Sequence, residues 1–218
     1  MIIGASNLGK RFNREWIFNG LTLEFQKGII YAITGPNGSG KSTLMQVLWG
    51  QVPASAGEIQ YHFDGKTIPM EESFQFVSIA APYMDLLEEY TLTEHVQFHF
   101  KFKKPIQGMN HEALLKKMQL EAYSNKPIKQ FSSGMKQRLK LGLAMFSDCP
   151  ILFLDEPTTN LDEASARWYL SNLLEIRAKR LVFIATNQPS DYPENSVIIN
   201  LNDLKMVTKA KETRIQTS

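Results

Sequence analysis

The chain has one cysteine, Cys149, in 218 residues. A single thiol excludes an internal disulfide and any cysteine-built metal cluster, and it suits a reducing compartment. Lying beside an apolar run, it reads as a plain core thiol. The sequence contains no apolar run of about eighteen residues, so no transmembrane helix is expected. The opening MIIGASNLGKRF lacks the long apolar stretch of a secretory leader, which makes a cytoplasmic location the expectation. A large charge of one sign is also missing. The 24 Lys and Arg against 22 Asp and Glu leave a net charge of +2, which argues against nucleic acid as a partner. The KFKK run at 101–104 then reads as a solvated face. No internal repeat or low-complexity linker divides the chain. Its length fits one large domain, or one domain with a sizeable insertion.

What is present concentrates at GPNGSGKS, Gly35 to Ser42. The segment fits G-x-x-x-x-G-K-[ST], a loop that cradles nucleotide phosphates. IIYAIT before it reads as a buried strand, and TLMQVLWG after it as the start of a helix. Gly35, Gly38 and Gly40 let the backbone turn tightly and point its N–H groups inward. The positive end of the following helix adds to the anion site. In this pattern Lys41 reaches the β- and γ-phosphates of ATP, and the Ser42 hydroxyl is a ligand for Mg²⁺. Pro36, Asn37, Ser39 and Thr43 complete the candidate cradle.

Short strand candidates crowd the first sixty or so residues: IIGASN, LTLEF, IIYAIT and EIQYHF. FVSIA (76–80) continues them. The middle of the chain changes to helical patterns, in TLTEHVQFHFKF (91–102), NHEALLKKMQL and SGMKQRLKLGLAMF. ILFLD (151–155) and LVFIAT (181–186) are continuous apolar runs of strand length, and they bracket the helix candidate EASARWYLSNLLEIRA. Apolar strands alternating with helices imply a parallel sheet covered on both faces. The expected fold is therefore a single α/β domain spanning 1–218. It has a P-loop nucleotide-binding core with a mostly parallel sheet, an antiparallel β edge and an inserted helical subdomain over roughly 83–147.

ILFLDEP supplies the acidic half of a P-loop ATPase. Its strand ends in Asp155, where a carboxylate can hold the Mg²⁺ shell. Glu156 follows directly and is the candidate general base for the attacking water, a role worth about 10²- to 10⁴-fold in rate. Upstream, Ser132, Ser133 and Gly134 open a helix whose exposed N–H groups make a second anion site, or simply a capped helix. Asp155 follows Ser132 by 23 positions, so one short helix separates the two motifs.

Together these motifs resemble the ATP-binding cassette of an ABC transporter over nearly the whole chain. GPNGSGKST matches that family's phosphate loop. FSSGM stands where its signature reads Leu-Ser-Gly-Gly-Gln, and ILFLDEPTTNLD matches its second nucleotide motif and the loop after it. Asn160, Leu161 and Asp162 fall at the family's dimer-contact positions, and Phe12 at the position of an aromatic ring stacked on adenine. The resemblance implies two cassettes closing head-to-tail around two ATP molecules. Ser132, Ser133 and Gly134 would meet a nucleotide held by the other subunit. A separate membrane permease would be the second partner, with the chain peripheral on the inner face of the cell membrane. The stretch Tyr83 to Phe102, which includes Met84, Leu86, Leu87 and Tyr90, would dock it. The alternative is that these apolar residues pack the helical subdomain's own core.

The chain departs from the family at three places. Ser133 and Met135 replace a glycine and a glutamine in the signature, a pattern that resembles exporter cassettes. Pro82 falls at the register of the glutamine that follows the FVSIA strand, and proline has no side-chain oxygen. Glu88 and Glu89 lie out of that register. Asn187 stands at the switch-histidine position in LVFIATNQP, where it can donate a hydrogen bond to a γ-phosphate but carries no charge. His95 and His99, four apart, read as a helix face in the absence of a third ligand. The leading reading is an ATPase subunit that powers export, with catalysis by Glu156, Lys41 and Asn187. The runner-up is a non-transport nucleotide switch with slow turnover.

Overall fold

The computed structural model describes residues 1–106 and 108–203. Along the chain the strands are β1 (Ile2–Phe12), β2 (Glu15–Gln26), β3 (Ile30–Thr34), β4 (Ala56–Phe63), β5 (Lys66–Ile68), β6 (Val77–Ala80), β7 (Ile151–Asp155), β8 (Leu181–Ala185) and β9 (Val197–Asn200). The helices are α1 (Lys41–Leu48), α2 (Leu92–His99), α3 (His111–Lys117), α4 (Ser133–Met145) and α5 (Glu163–Ile176). The central sheet runs β6-β7-β8-β3-β9, and every neighbouring pair in it is parallel.

Its strands read as unbroken apolar runs because both faces are buried. Side chains alternate along each strand. Ile30, Leu152, Leu154, Val182 and Ile184 point into one core, shared with Leu139, Leu143, Tyr169 and Leu173 from α4 and α5. Tyr31, Ile33, Ile151, Phe153, Leu181 and Phe183 point into the other, where α1 supplies Leu44, Met45 and Leu48. Phe153 and Phe183 stack there with ring centroids 4.7 Å apart.

The antiparallel strands differ from the expected edge of the main sheet. They form a sheet of their own, ordered β2-β1-β4-β5. Both edges of β1 are occupied, by β2 and by β4, so the central sheet gains no hydrogen-bonding edge from it. Ile3, Leu8, Phe18, Phe25 and Tyr61 turn the inner face of this sheet onto the second core. It therefore packs across the central sheet as a separate layer.

Helices α2, α3 and α4 lie between β6 and β7, in the stretch where the sequence placed an insertion. Helix α2 is capped by Thr91 and Glu94 in a reciprocal box and stops at His99, three residues short of the expected Phe102. The chain then turns, with Phe102 N and Lys103 N both bonded to the His99 carbonyl. Lys103 Nζ fixes this turn by donating to Val77 O at 2.9 Å. Strand β9 was not foreseen. Among the described residues it pairs with β3 alone, and Val197 and Ile198 are exposed, so no clear apolar face announced it.

Candidate active site

The phosphate loop joins the buried strand β3 to helix α1. Gly40 enters the helix at φ 101°, and a Cβ there would lie 2.3 Å from Ile17 Cγ2, so only glycine fits. Lys41 is buried at 5% exposure. Its Nζ donates to Gly35 O at 2.9 Å and to Pro36 O at 3.3 Å, and closes the loop on itself. Ile17, Asn37, Gly38, Gly40, Lys41, Ser42, Thr43 and Glu156 line a cavity of about 250 Å³ over the loop.

Strand β7 delivers Asp155 beneath this cavity at 2% exposure. The Ser42 hydroxyl donates to its carboxylate, and Lys41 lies close enough to stabilise the charge. Burial nevertheless raises the carboxyl above the usual range, and the neighbouring Glu156 adds to that. Asp155 Oδ1 is buried without a hydrogen-bond partner among the described residues. An orphaned carboxylate oxygen beside a hydroxyl is a donor set that fits Mg²⁺, which takes few protein ligands and keeps water and phosphate oxygens for the rest.

Glu156 has φ 45°, a left-handed backbone that a non-glycine residue holds only under constraint. Part of that constraint is the bond from Glu156 N to Ala185 O at 2.8 Å. The turn brings Glu156 to the cavity wall. From β8, Asn187 reaches the same region, and its Nδ2 donates to Asn37 Oδ1 at 3.2 Å across 150 residues of sequence. The structure thus brings Lys41, Ser42, Asp155, Glu156 and Asn187 together.

Other sequence candidates lie elsewhere. Phe12 is 48% exposed under the Lys10 ammonium, which sits 4.8 Å from its ring centre, and it does not line the cavity. Ser132, Ser133 and Gly134 start α4 away from the cavity. Ser132 Oγ accepts from Met135 N at 3.2 Å, as a helix cap does. A Cβ on Gly134 would lie 2.9 Å from Asn160 O, so glycine is what lets this helix start approach the 157–162 loop. Asp162 caps α5 through Ser165 N at 2.7 Å.

Sequence reasoning missed three neighbours of the site. Tyr83, next to Pro82, hydrogen-bonds Gln46 on α1 and lies near Asp155. Partial burial raises its phenol to about 12, with the Asp155 charge adding to the rise and the Gln46 bond opposing it. A hydroxyl therefore stands beside the register where Pro82 offers none. Gln137 Nε2 donates to Pro157 O at 2.8 Å and ties α4 to the loop after Glu156. Asp191, 1% exposed, accepts from Thr158 and Thr186. None of the three sits in a recognisable motif, and only the fold pairs them with the site.

Beside the 81–90 segment lies a groove of about 420 Å³, whose lining includes Ile79, Met84, Leu86, Leu87, Phe98 and Phe102. Met84, Leu87 and Tyr90 are exposed, so they do not pack the chain's own core, whereas Leu86 packs against it. This segment is fastened to α4. Lys140 Nζ donates to Pro82 O at 3.1 Å, and Lys136 pairs with Glu88. At the groove floor, burial lowers the His99 imidazole to about 4, helped by neighbouring His95 and Lys103.

A family model described as ABC transporter matches residues 18–159. An ABC transporter ATP-binding protein of Bacillus subtilis (strain 168), YybJ, is 30% identical over 218 residues, all of this chain and 96% of that protein. The lantibiotic transport ATP-binding protein SrtF of Streptococcus pyogenes is 34% identical over 166 residues, 74% of this chain and 69% of its own. The Nod factor export ATP-binding protein I of Ralstonia nicotianae is 28% identical over 190 residues, 85% of this chain and 59% of its own. Among solved structures, an ABC transporter ATP-binding protein of Pyrococcus furiosus superposes with TM-score 0.78 at 21% identity, over 93% of this chain and 98% of that one. A dimeric bacterial ABC transporter cassette superposes with TM-score 0.76 at 21% identity, over 91% of this chain and 93% of its own.

Proposed function

The chain belongs to the ABC transporter family as an ATP-binding, ATP-hydrolysing cassette, and from that premise we propose that it drives export through a separate membrane permease. The observation that carries this reading is the convergence of Lys41, Ser42, Glu156 and the buried Asp155 on one cavity. Lys41 would exchange the Gly35 and Pro36 carbonyls for the β- and γ-phosphates of ATP. Ser42 and Asp155 would hold Mg²⁺, which when bound supplies Lewis-acid stabilisation of charge on the transferring phosphoryl group. Glu156, held at the wall by its constrained backbone, takes the proton of the attacking water. Asn187 donates to a γ-phosphate oxygen in place of its bond to Asn37.

Ser132, Ser133 and Gly134 lie off the cavity of their own chain, which leaves them available to the nucleotide of a second cassette. We take the working unit to be a homodimer closed through these residues and the 160–162 loop. Phe12, exposed on β1, is the proposed adenine platform. The groove beside 83–102 is the proposed permease dock, and Lys136 and Lys140 connect it to the helix that begins at Ser132. The helical segment of about 83–147 would then move with the permease, and the chain would sit on the inner face of the membrane. Export is favoured by the Nod factor export relative, and the lantibiotic transport relative supports a role in transport.

Glu156→Gln tests the reading, because it keeps the shape and removes the base. Steady-state phosphate release should fall by about 10²-fold or more. Sedimentation with Mg·ATP should show a dimer that persists. An unchanged rate would refute the base, and a monomer at all ATP concentrations would refute ATP-driven closure.

A further inference from the structure

Asp191 is among the most buried carboxylates of the described chain, at 1% exposure, yet it lies in the short polar segment after β8. Both of its oxygens are used. Oδ1 accepts from the Thr158 hydroxyl, and Oδ2 accepts from the Thr186 hydroxyl at 2.5 Å. Its backbone is fixed as well. Asp191 O accepts from the Tyr169 hydroxyl at 2.9 Å, and Asp191 N donates to Gln188 O at 3.1 Å. Gln188 N in turn donates to Thr186 Oγ1 at 2.9 Å.

The two threonines stand at informative places. Thr158 is two residues beyond Glu156, in the loop that continues to Asn160 and Asp162. Thr186 directly precedes Asn187. One buried carboxylate therefore joins the loop that carries the proposed base to the loop that carries the proposed γ-phosphate donor. The backbone bond from Glu156 N to Ala185 O closes the same pair of loops from the other side. A carboxylate accepting two hydroxyl hydrogens in a dry site has one geometry, because losing either bond strands a buried charge.

We infer that Asp191 is a positioning residue for hydrolysis, whose carboxylate holds Glu156 and Asn187 in register through Thr158 and Thr186. The inference rests on the hydrolytic roles proposed for Glu156 and Asn187. It predicts a loss in turnover with no loss in ATP binding, because neither threonine lines the phosphate cavity. A misplacement of the reacting groups by about 1 Å costs up to about 10²-fold in rate.

The test uses Thr158→Val and Thr186→Val, which remove one hydroxyl each at nearly constant shape. Thr158→Ser and Thr186→Ser restore it, and Asp191→Asn breaks the pairing from the centre. For each full-length protein, kcat and KM for Mg·ATP are measured together with the Kd for a fluorescent ATP analogue and the melting temperature. The valine and asparagine variants should lose about 10- to 100-fold in kcat, while Kd stays within about twofold. The serine variants should recover the parental kcat. Unchanged kcat in both valine variants overturns the inference. So does a fall in ATP affinity parallel to the fall in kcat, or failure of the valine variants to fold, since either marks a purely structural role. Glu156→Gln is run alongside. If it is inactive while the valine variants match the parent, only the inference about Asp191 fails. If it keeps the parental kcat, the base assignment fails and the inference falls with it.

Discussion

Lowering the pH from 8 to 5 should destabilise the protein by about 2 kcal/mol through His99 alone. The imidazole lines the groove beside the 81–90 segment, with its Nε2 3.0 Å from Ser147 Oγ, which itself donates to Leu143 O at 2.7 Å. Burial is the main force that lowers its pKa from 6.5 to about 4. The adjacent His95 and the Lys103 ammonium add to that, and a backbone bond at Leu143 opposes it. Lys140 and Asp85 are the other charged groups lining the groove. Between pH 6.5 and 4 the unfolded chain binds the proton and the folded chain does not. The stability is therefore whole above pH 6.5 and declines as pH falls. With those two pKa values, RT ln[(1 + 10^1.5)/(1 + 10^−1)] gives about 2 kcal/mol at pH 5, rising toward about 3.4 kcal/mol below pH 4. Burial also lowers His95, which deepens the trend in the same direction. Buried Asp155 and Asp191 are raised and titrate with the opposite sign, so the total change with pH does not isolate His99. Urea unfolding of the parent and of His99→Gln at pH 8 and pH 5 does. The glutamine cannot be protonated and can still bond Ser147. The parent should lose about 2 kcal/mol more than the variant between the two pH values. An equal loss in both would refute the burial argument and place a water-accessible imidazole on the groove floor.

Two further outcomes follow from the site. Asn187→Ala removes the amide that reaches Asn37 and should slow steady-state phosphate release by about tenfold while leaving nucleotide affinity near the parental value; a parental rate would mean that Asn187 does not face the γ-phosphate in the closed state. Leu87→Asp puts a charge on an exposed groove residue and should leave the melting temperature within a few degrees while abolishing co-purification with the permease; unfolding of the free chain would instead make the groove part of the chain's own core.

Much of the nucleotide site was written locally. A strand, a glycine loop and a helix in succession fix where backbone N–H groups point, and that needs only the run from Ile29 to Gly50. The same holds for Asp155 and Glu156, because an apolar strand ending in two acids sets their place by its own direction. The central strands were legible for a related reason: burial on both faces leaves a continuous apolar run that no other local structure of that length explains.

Tertiary packing decided the rest. The antiparallel strands alternate equally well as an edge or as a separate sheet, and only the pairing of β1 on both sides distinguishes the two. Strand β9 is short and half-exposed, so its parallel partner β3 defines it where its pattern does not. Tyr83 beside Gln46 and Asp155, Asn187 against Asn37, and Asp191 between Thr158 and Thr186 join residues up to 150 positions apart. Sequence spacing carries no information about such pairs, because their distances are set by how the crossovers lay the strand ends side by side. The left-handed Glu156 shows the same division. The sequence names the acid, but the bond to Ala185 on the neighbouring strand holds a backbone that glutamate would not adopt alone.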